Sequence, residues 1–293
     1  MKKFLCILMA FTLLYVIAGC SVSAEAVDIA ATTLPVYQFT TMLCQGTNLR
    51  VARLVTENVS CLHDYALSVK QVKTVESAEL IIMNGAGLED FMEDLLTGKP
   101  TIDASEGIAL LESCHHHEHN QSHDDHHHEH DAHIWLSPAN AIMMAENICH
   151  GLKSQYPAYS SLFDENLANL TQQLNALLRY GQTELSDLQC REMITFHDGF
   201  AYMADCFDLT ILAAIEEESG SEASAQELIA LIQLVETHQL TSIFIESNGS
   251  LSAPGIIAAE TGAKIFTLHM AMSGDDYFTV MYQNIDSIKE ALG

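Results

Sequence analysis

The sequence predicts an α/β protein of two lobes, each with a central, mostly parallel sheet flanked by helices, joined by one long helix. Three observations carry this expectation. Short β-type runs alternate with helical patterns over residues 27–113 and again over 189–293, which is the signature of right-handed βαβ units. Between the two stretches, past Pro157, lies the longest helical pattern of the chain, with Leu162, Leu167, Leu170, Leu174, Leu177 and Leu178 at three- and four-residue spacings. About 270 residues remain once a leader is set aside, more than a single hydrophobic core usually serves.

The elements follow in order. Lys2 and Lys3 precede an apolar stretch from Phe4 to Ile17 and the small residues Ala18-Gly19 before Cys20. The stretch is too short to span a bilayer comfortably and fits a signal peptide over 1–19. Ile17-Ala18-Gly19-Cys20 resembles a bacterial lipoprotein cleavage box, which makes Cys20 the lipidated first residue and 20–26 a tether on the outer side of a membrane. The first lobe, 27–156, has strands expected at 27–31, 49–55, 80–84 and 100–103, with helices at about 35–46, 68–77 and 88–96. Ser137-Pro138 opens another helix, with serine as its N-cap and proline at its first position, running to about residue 152. The linking segment is 157–188. The second lobe, 189–293, alternates strands at 193–196, 210–212, 242–245 and 264–268 with helices at 201–206, 225–238, 253–261 and 277–292.

Charge narrows the function. The formal net charge is −27, and loss of Lys2 and Lys3 with the leader makes it −29. Such a surface repels nucleic acid and concentrates cations. Cys44, Cys61, Cys114, Cys149, Cys190 and Cys206 remain after the leader, in a compartment that permits disulfides, but their pairing is not readable from one chain.

The chemistry lies in histidine. Ten of the fifteen histidines fall between Cys114 and His133, interleaved with Glu118, Asp124, Asp125, Glu129 and Asp131. No apolar residue interrupts the run before Ala132, so most of it has nothing to bury, and its composition is that of a metal-binding tract. His115, His116, His117, His119, His123, His126, His127, His128 and His130 are assigned to an auxiliary, low-affinity metal loop over 114–130. His63, His133, His197 and His269 fall on loops between strands and helices of both lobes. Any one alone is as easily a surface or structural histidine. Four together suit a tetrahedral Zn2+ site in the cleft between the lobes. His150 and His238 sit within helical patterns and take the structural reading.

The motifs S-C-L-H-D-Y (60–65), D-A-H-I-W-L-S-P (131–138), T-F-H-D-G-F-A-Y (195–202), I-F-I-E (243–246) and G-D-D-Y with Met281 and Asn284 resemble the metal-binding lipoproteins of bacterial ABC importers, the cluster A-I solute-binding family of ZnuA/TroA type. The resemblance covers the whole mature chain in order. It implies the TroA-like fold, with a rigid bridging helix that limits lobe closure, and the metal in the interlobe cleft. His63 and His133 would be ligands from the first lobe and His197 from the second. Histidine at that third position and a His-rich loop mark the zinc branch, and make Mn2+ the poorer candidate. Where the family often has an acid after the last strand, this chain reads Leu268-His269, so His269 is the expected fourth ligand, with Glu246 or water as alternatives. Glu246 and Asp198 are expected to orient ligand imidazoles. The proline that usually precedes the His133 position in the family is absent.

The implied function is extracytoplasmic capture of Zn2+ and its delivery to a membrane permease, by a monomer that is not an enzyme. Binding is expected to fail below about pH 6, as imidazoles protonate near their reference pKa. One alternative is a metallohydrolase with an open three-histidine site, although neither an H-E-x-x-H helix nor a G-x-S-x-G elbow is present. Another is an extracellular metal buffer or adhesin in which the His run is the whole function.

Overall fold

The computed structural model describes residues 27–57, 62, 65–112, 130–215, 224–272, 274 and 276–293. The leader, Cys20 and its tether, His63, Asp64 and the run from His115 to His128 lie outside the described residues.

The first lobe contains β1 (Ile29–Ala31), α1 (Leu34–Leu43), β2 (Val51–Arg53), α2 (Val69–Ser77), β3 (Leu80–Met83), α3 (Glu93–Leu96) and β4 (Thr101–Asp103). All four strands are parallel, in the order β2-β1-β3-β4. The two central strands show why: Ile29, Ala30, Ala31, Leu80, Ile81 and Ile82 are all buried, as strands covered by helices on both faces must be. Ser68 caps α2 in a reciprocal capping box with Gln71.

After a 3-10 turn at Ile134–Leu136, Ser137 caps α4 (Pro138–Gln155), and α5 (Ser160–Glu184) follows. The second lobe repeats the first: β5 (Glu192–Phe196), α6 (Ala201–Cys206), β6 (Thr210–Ala214), α7 (Ala225–His238), β7 (Ser242–Glu246), α8 (Ser252–Thr261), β8 (Lys264–Leu268) and α9 (Tyr277–Leu292). Its parallel sheet has the matching order β6-β5-β7-β8.

The 25 residues of α5 span about 37 Å at the usual helical rise. Its buried stripe of Phe163, Leu170, Leu174 and Leu177 packs on α1 and α4 of the first lobe, and the helix also packs on α9 of the second. One continuous apolar core runs through both lobes as a result, from Ile29 and Phe39 to Phe207 and Ile288. Gly181 lets α5 approach the second lobe closely, because a Cβ there would lie 2.4 Å from the Phe207 ring and 3.2 Å from Ile285 Cδ1 on α9. No helix among the described residues is long and apolar enough to cross a membrane. Of the cysteines, Cys44, Cys149, Cys190 and Cys206 carry free thiols.

Some ends shift, as in β2, expected over 49–55 and found at Val51–Arg53, and in α1, expected over about 35–46 and found at Leu34–Leu43; two further elements differ more tellingly. The linking helix ends at Glu184, four residues short of the expected end at 188, while its leucine pattern continues into the buried Leu185. Residues 88–96 do not form one helix but a 3-10 turn, Asp90–Met92, followed by the single turn of α3. Met92, with φ −129° and ψ 13°, separates the two, and Glu89, just before the 3-10 turn, turns its carboxyl inward. It accepts hydrogen bonds from the Thr32 hydroxyl (2.6 Å), the Asn84 N–H (2.8 Å) and the Gly85 N–H (3.0 Å).

Burial pushes the Glu89 carboxyl up from 4.5 to about 7, against the opposing effect of those donors. The folded state therefore holds this proton more tightly than the unfolded chain. The contribution to stability is complete below about pH 4 and is lost as pH rises toward 7, by about 3 kcal/mol over the interval. Glu89→Gln cannot ionise, so urea denaturation of the metal-free protein at pH 5 and pH 8 should show that part of the slope removed. The same slope in the variant would rule Glu89 out as its source.

Candidate metal centre

In a parallel sheet, ligands gather where the strand order reverses, beyond the strands' carboxyl ends. In the second lobe that point lies between β5 and β7, where Phe196 pairs with Ile245. The next residues on each strand are His197 and Glu246, so register sets them side by side. Both are buried, and His197 Nδ1 lies 3.8 Å from Glu246 Oε2, an ion-pair approach longer than a hydrogen bond. His197 has extended backbone and leads into the 3-10 turn Asp198–Phe200. Its Nε2 is sealed from solvent.

His133 arrives from the first lobe. The chain returns from the His-rich segment through a bridge between Glu112 and His130, and the Asp131 N–H donates to the Leu111 carbonyl at 2.9 Å. Asp131 Oδ1 then accepts from the His133 backbone N–H at 2.8 Å and stands 2.7 Å from its ring Nδ1. A carboxylate only accepts, so Nδ1 carries the hydrogen and the lone pair for a metal is on Nε2. The rings of His133 and His197 stand 5.3 Å apart, centroid to centroid, nearly perpendicular. Trp135 packs 5.2 Å from His133, its indole N–H donates to the Met270 carbonyl at 2.7 Å, and its own carbonyl accepts from the Tyr277 hydroxyl at 2.8 Å.

Two of the four expected imidazoles are therefore together, one from each lobe, each with a carboxylate on its Nδ1 side. Glu246 stands where an orienting acid was expected. Asp198 is half-buried at the start of the turn that follows His197. His269 is half-buried at the end of β8, its backbone clasped on both sides by the Asn284 side chain at 2.8 Å. Among the described residues, no three His, Cys, Asp or Glu side chains form a metal-holding group. His63 lies outside the described residues, as does all of the run except the exposed His130. His238 pairs with Glu192 at 2.9 Å on the second lobe, and His150 is exposed on α4.

Several supporting residues escaped sequence reasoning. Asp131 stands among the acids of the His run and in the D-A-H-I-W-L-S-P motif, and its place two residues before a candidate ligand is the signal that marks it as an orienting acid. Gly199 follows His197 by two, and a Cβ there would lie 2.8 Å from His133 Cγ. Asn84 donates from its side chain to the Ala132 carbonyl at 3.0 Å. Nothing in the local sequence marks Asn84 for that role.

Comparison with known proteins agrees with this architecture. The family model described as "ZnuA: Zinc-uptake complex component A periplasmic" matches residues 29–291. The zinc-binding lipoprotein AdcA of Streptococcus pneumoniae is 29% identical over 99% of this chain, which spans only 61% of that protein's length. A crystal structure of ZnuA superposes with a TM-score of 0.78 at 28% identity, covering 91% of this chain and all of that one. A ZnuA deletion mutant crystallised with zinc bound also superposes at 0.78, with 29% identity over 92% of this chain and 99% of its own.

Proposed function

Because the chain belongs to the ZnuA family of periplasmic zinc-uptake components, we propose that it is an extracytoplasmic receptor that captures Zn2+ and hands it to an ABC-type importer. The observation that carries this reading is the buried pair His133–His197, one imidazole from each lobe and each beside a carboxylate. Neutral imidazoles suit zinc, and a harder cation such as Mn2+ would favour carboxylate oxygens. We assign His63, His133 and His197 as ligands, with the fourth position taken by His269, Glu246 or water. Glu246 orients His197, and Asp131 orients His133. The reading extends to a leader over 1–19, a lipid anchor at Cys20, lobes divided at the 157–188 segment, a monomer, and a carrier rather than a hydrolase.

Metal analysis and competition titration of the protein with and without residues 115–130 test this reading. One tight zinc per molecule should survive the deletion, while the weak, multiple binding of the His run disappears. Loss of nearly all zinc would make the run the whole function and the protein a metal buffer. The tight site should also release zinc below about pH 6 as its imidazoles protonate.

A further inference from the structure

Resting on the assignment of His133 as a ligand, we propose that Tyr202 is a positioning residue for the zinc site, acting on His133 through Asp131 from the opposite lobe. Tyr202 belongs to α6 of the second lobe and is only 3% exposed. Its hydroxyl donates to the Asp131 carbonyl at 2.8 Å and accepts from the Leu111 N–H at 3.0 Å. One atom thus spans both chains at the neck of the His-rich segment. Among the described residues, the neck is otherwise joined by the Asp131–Leu111 hydrogen bond and the isolated bridge between Glu112 and His130. So short a ladder does not hold itself in place.

The first lobe grips the next carbonyl, because the Asn84 side chain donates to Ala132 and the Asn84 backbone is anchored on Glu89. Successive carbonyls at 131 and 132 are therefore held from opposite lobes. The Asp131 side chain between these grips receives both the backbone N–H and the ring N–H of His133. Moving the Asp131 backbone moves the acceptor that sets the His133 ring. Burial pushes the Tyr202 phenol up to about 12, so its hydroxyl keeps the proton that it donates.

Tyr202→Phe keeps the ring and removes only the hydroxyl, a loss small against the stability of a protein of this size, so the variant should fold. Four proteins are compared with wild type: Tyr202→Phe, Asp131→Asn, the double variant and His133→Ala. Zinc affinity is read by competition titration and ligand geometry by the visible spectrum of the Co2+ form, with the melting temperature of the metal-free protein as control. Tyr202→Phe should weaken zinc about tenfold and alter the cobalt spectrum, as outer-shell changes do. In the Asp131→Asn background it should add almost nothing, because both changes act through one link. Unchanged affinity and spectrum, or an equal loss in both backgrounds, would overturn the proposal and leave Tyr202 a packing residue. If His133→Ala keeps wild-type affinity, the site assignment fails and Tyr202 with it. If His133→Ala abolishes tight binding while Tyr202→Phe does not weaken it, only the role of Tyr202 fails.

Discussion

Replacing His197 by alanine should abolish tight zinc binding, with an affinity loss of about a thousandfold or more, equivalent to roughly 4 kcal/mol. Outer-shell changes around a metal typically cost about 10- to 100-fold, and removal of a ligand must exceed that. His197 stands at the reversal point of the second sheet, 5.3 Å from His133 and beside the buried Glu246. Its loss takes away the imidazole that the second lobe contributes to the pair, and the first lobe cannot replace it. The sole tryptophan, Trp135, lies 5.2 Å from His133 and provides a local fluorescence reporter. Zinc-dependent emission changes should vanish in His197→Ala along with tight binding in competition titration. Wild-type affinity in this variant would remove His197 from the site.

Gly199→Ala is the second large effect, and it touches no ligand. A Cβ at this position would lie 2.4 Å from Met270 Cε, 2.8 Å from His133 Cγ and 2.9 Å from His133 Cδ2. Gly199 has no positive φ, so alanine costs nothing in backbone strain, and the effect is purely steric. The Met270 methyl can swing aside. The His133 ring cannot do so without leaving the acceptor at Asp131 Oδ1, 2.7 Å from its Nδ1. Zinc affinity should fall about 10- to 100-fold, the range for displacing a ligand's support, while the protein stays folded. Affinity within about twofold of wild type, with an unshifted melting temperature, would show that the ring has room to move.

These two residues illustrate what a single chain discloses. His197 was legible because a histidine directly after an apolar strand run, in a βαβ pattern, falls on the loop where such sheets bind ligands. Gly199, two residues on, was not. Its constraint comes from a ring 66 positions earlier, and no spacing rule connects them. Asp131 was half legible, because its bond to His133 is local but its own position is set by Tyr202, 71 residues away. The inward turn of Glu89 was hidden for the same reason, since it meets Thr32, 57 residues distant.

The elements and their order are written in local pattern: α6, α7, β8 and α9 have the bounds that apolar periodicity predicts, and parallel pairing follows from strand–helix alternation. It also determined which residue types were available for metal chemistry. Those are properties of neighbouring residues and their period. The tertiary structure decided which imidazoles meet and what holds them. That outcome depends on two sheets of like topology held together by packing through α5. Such contacts arise from packing between residues far apart in the chain, and no local pattern encodes them.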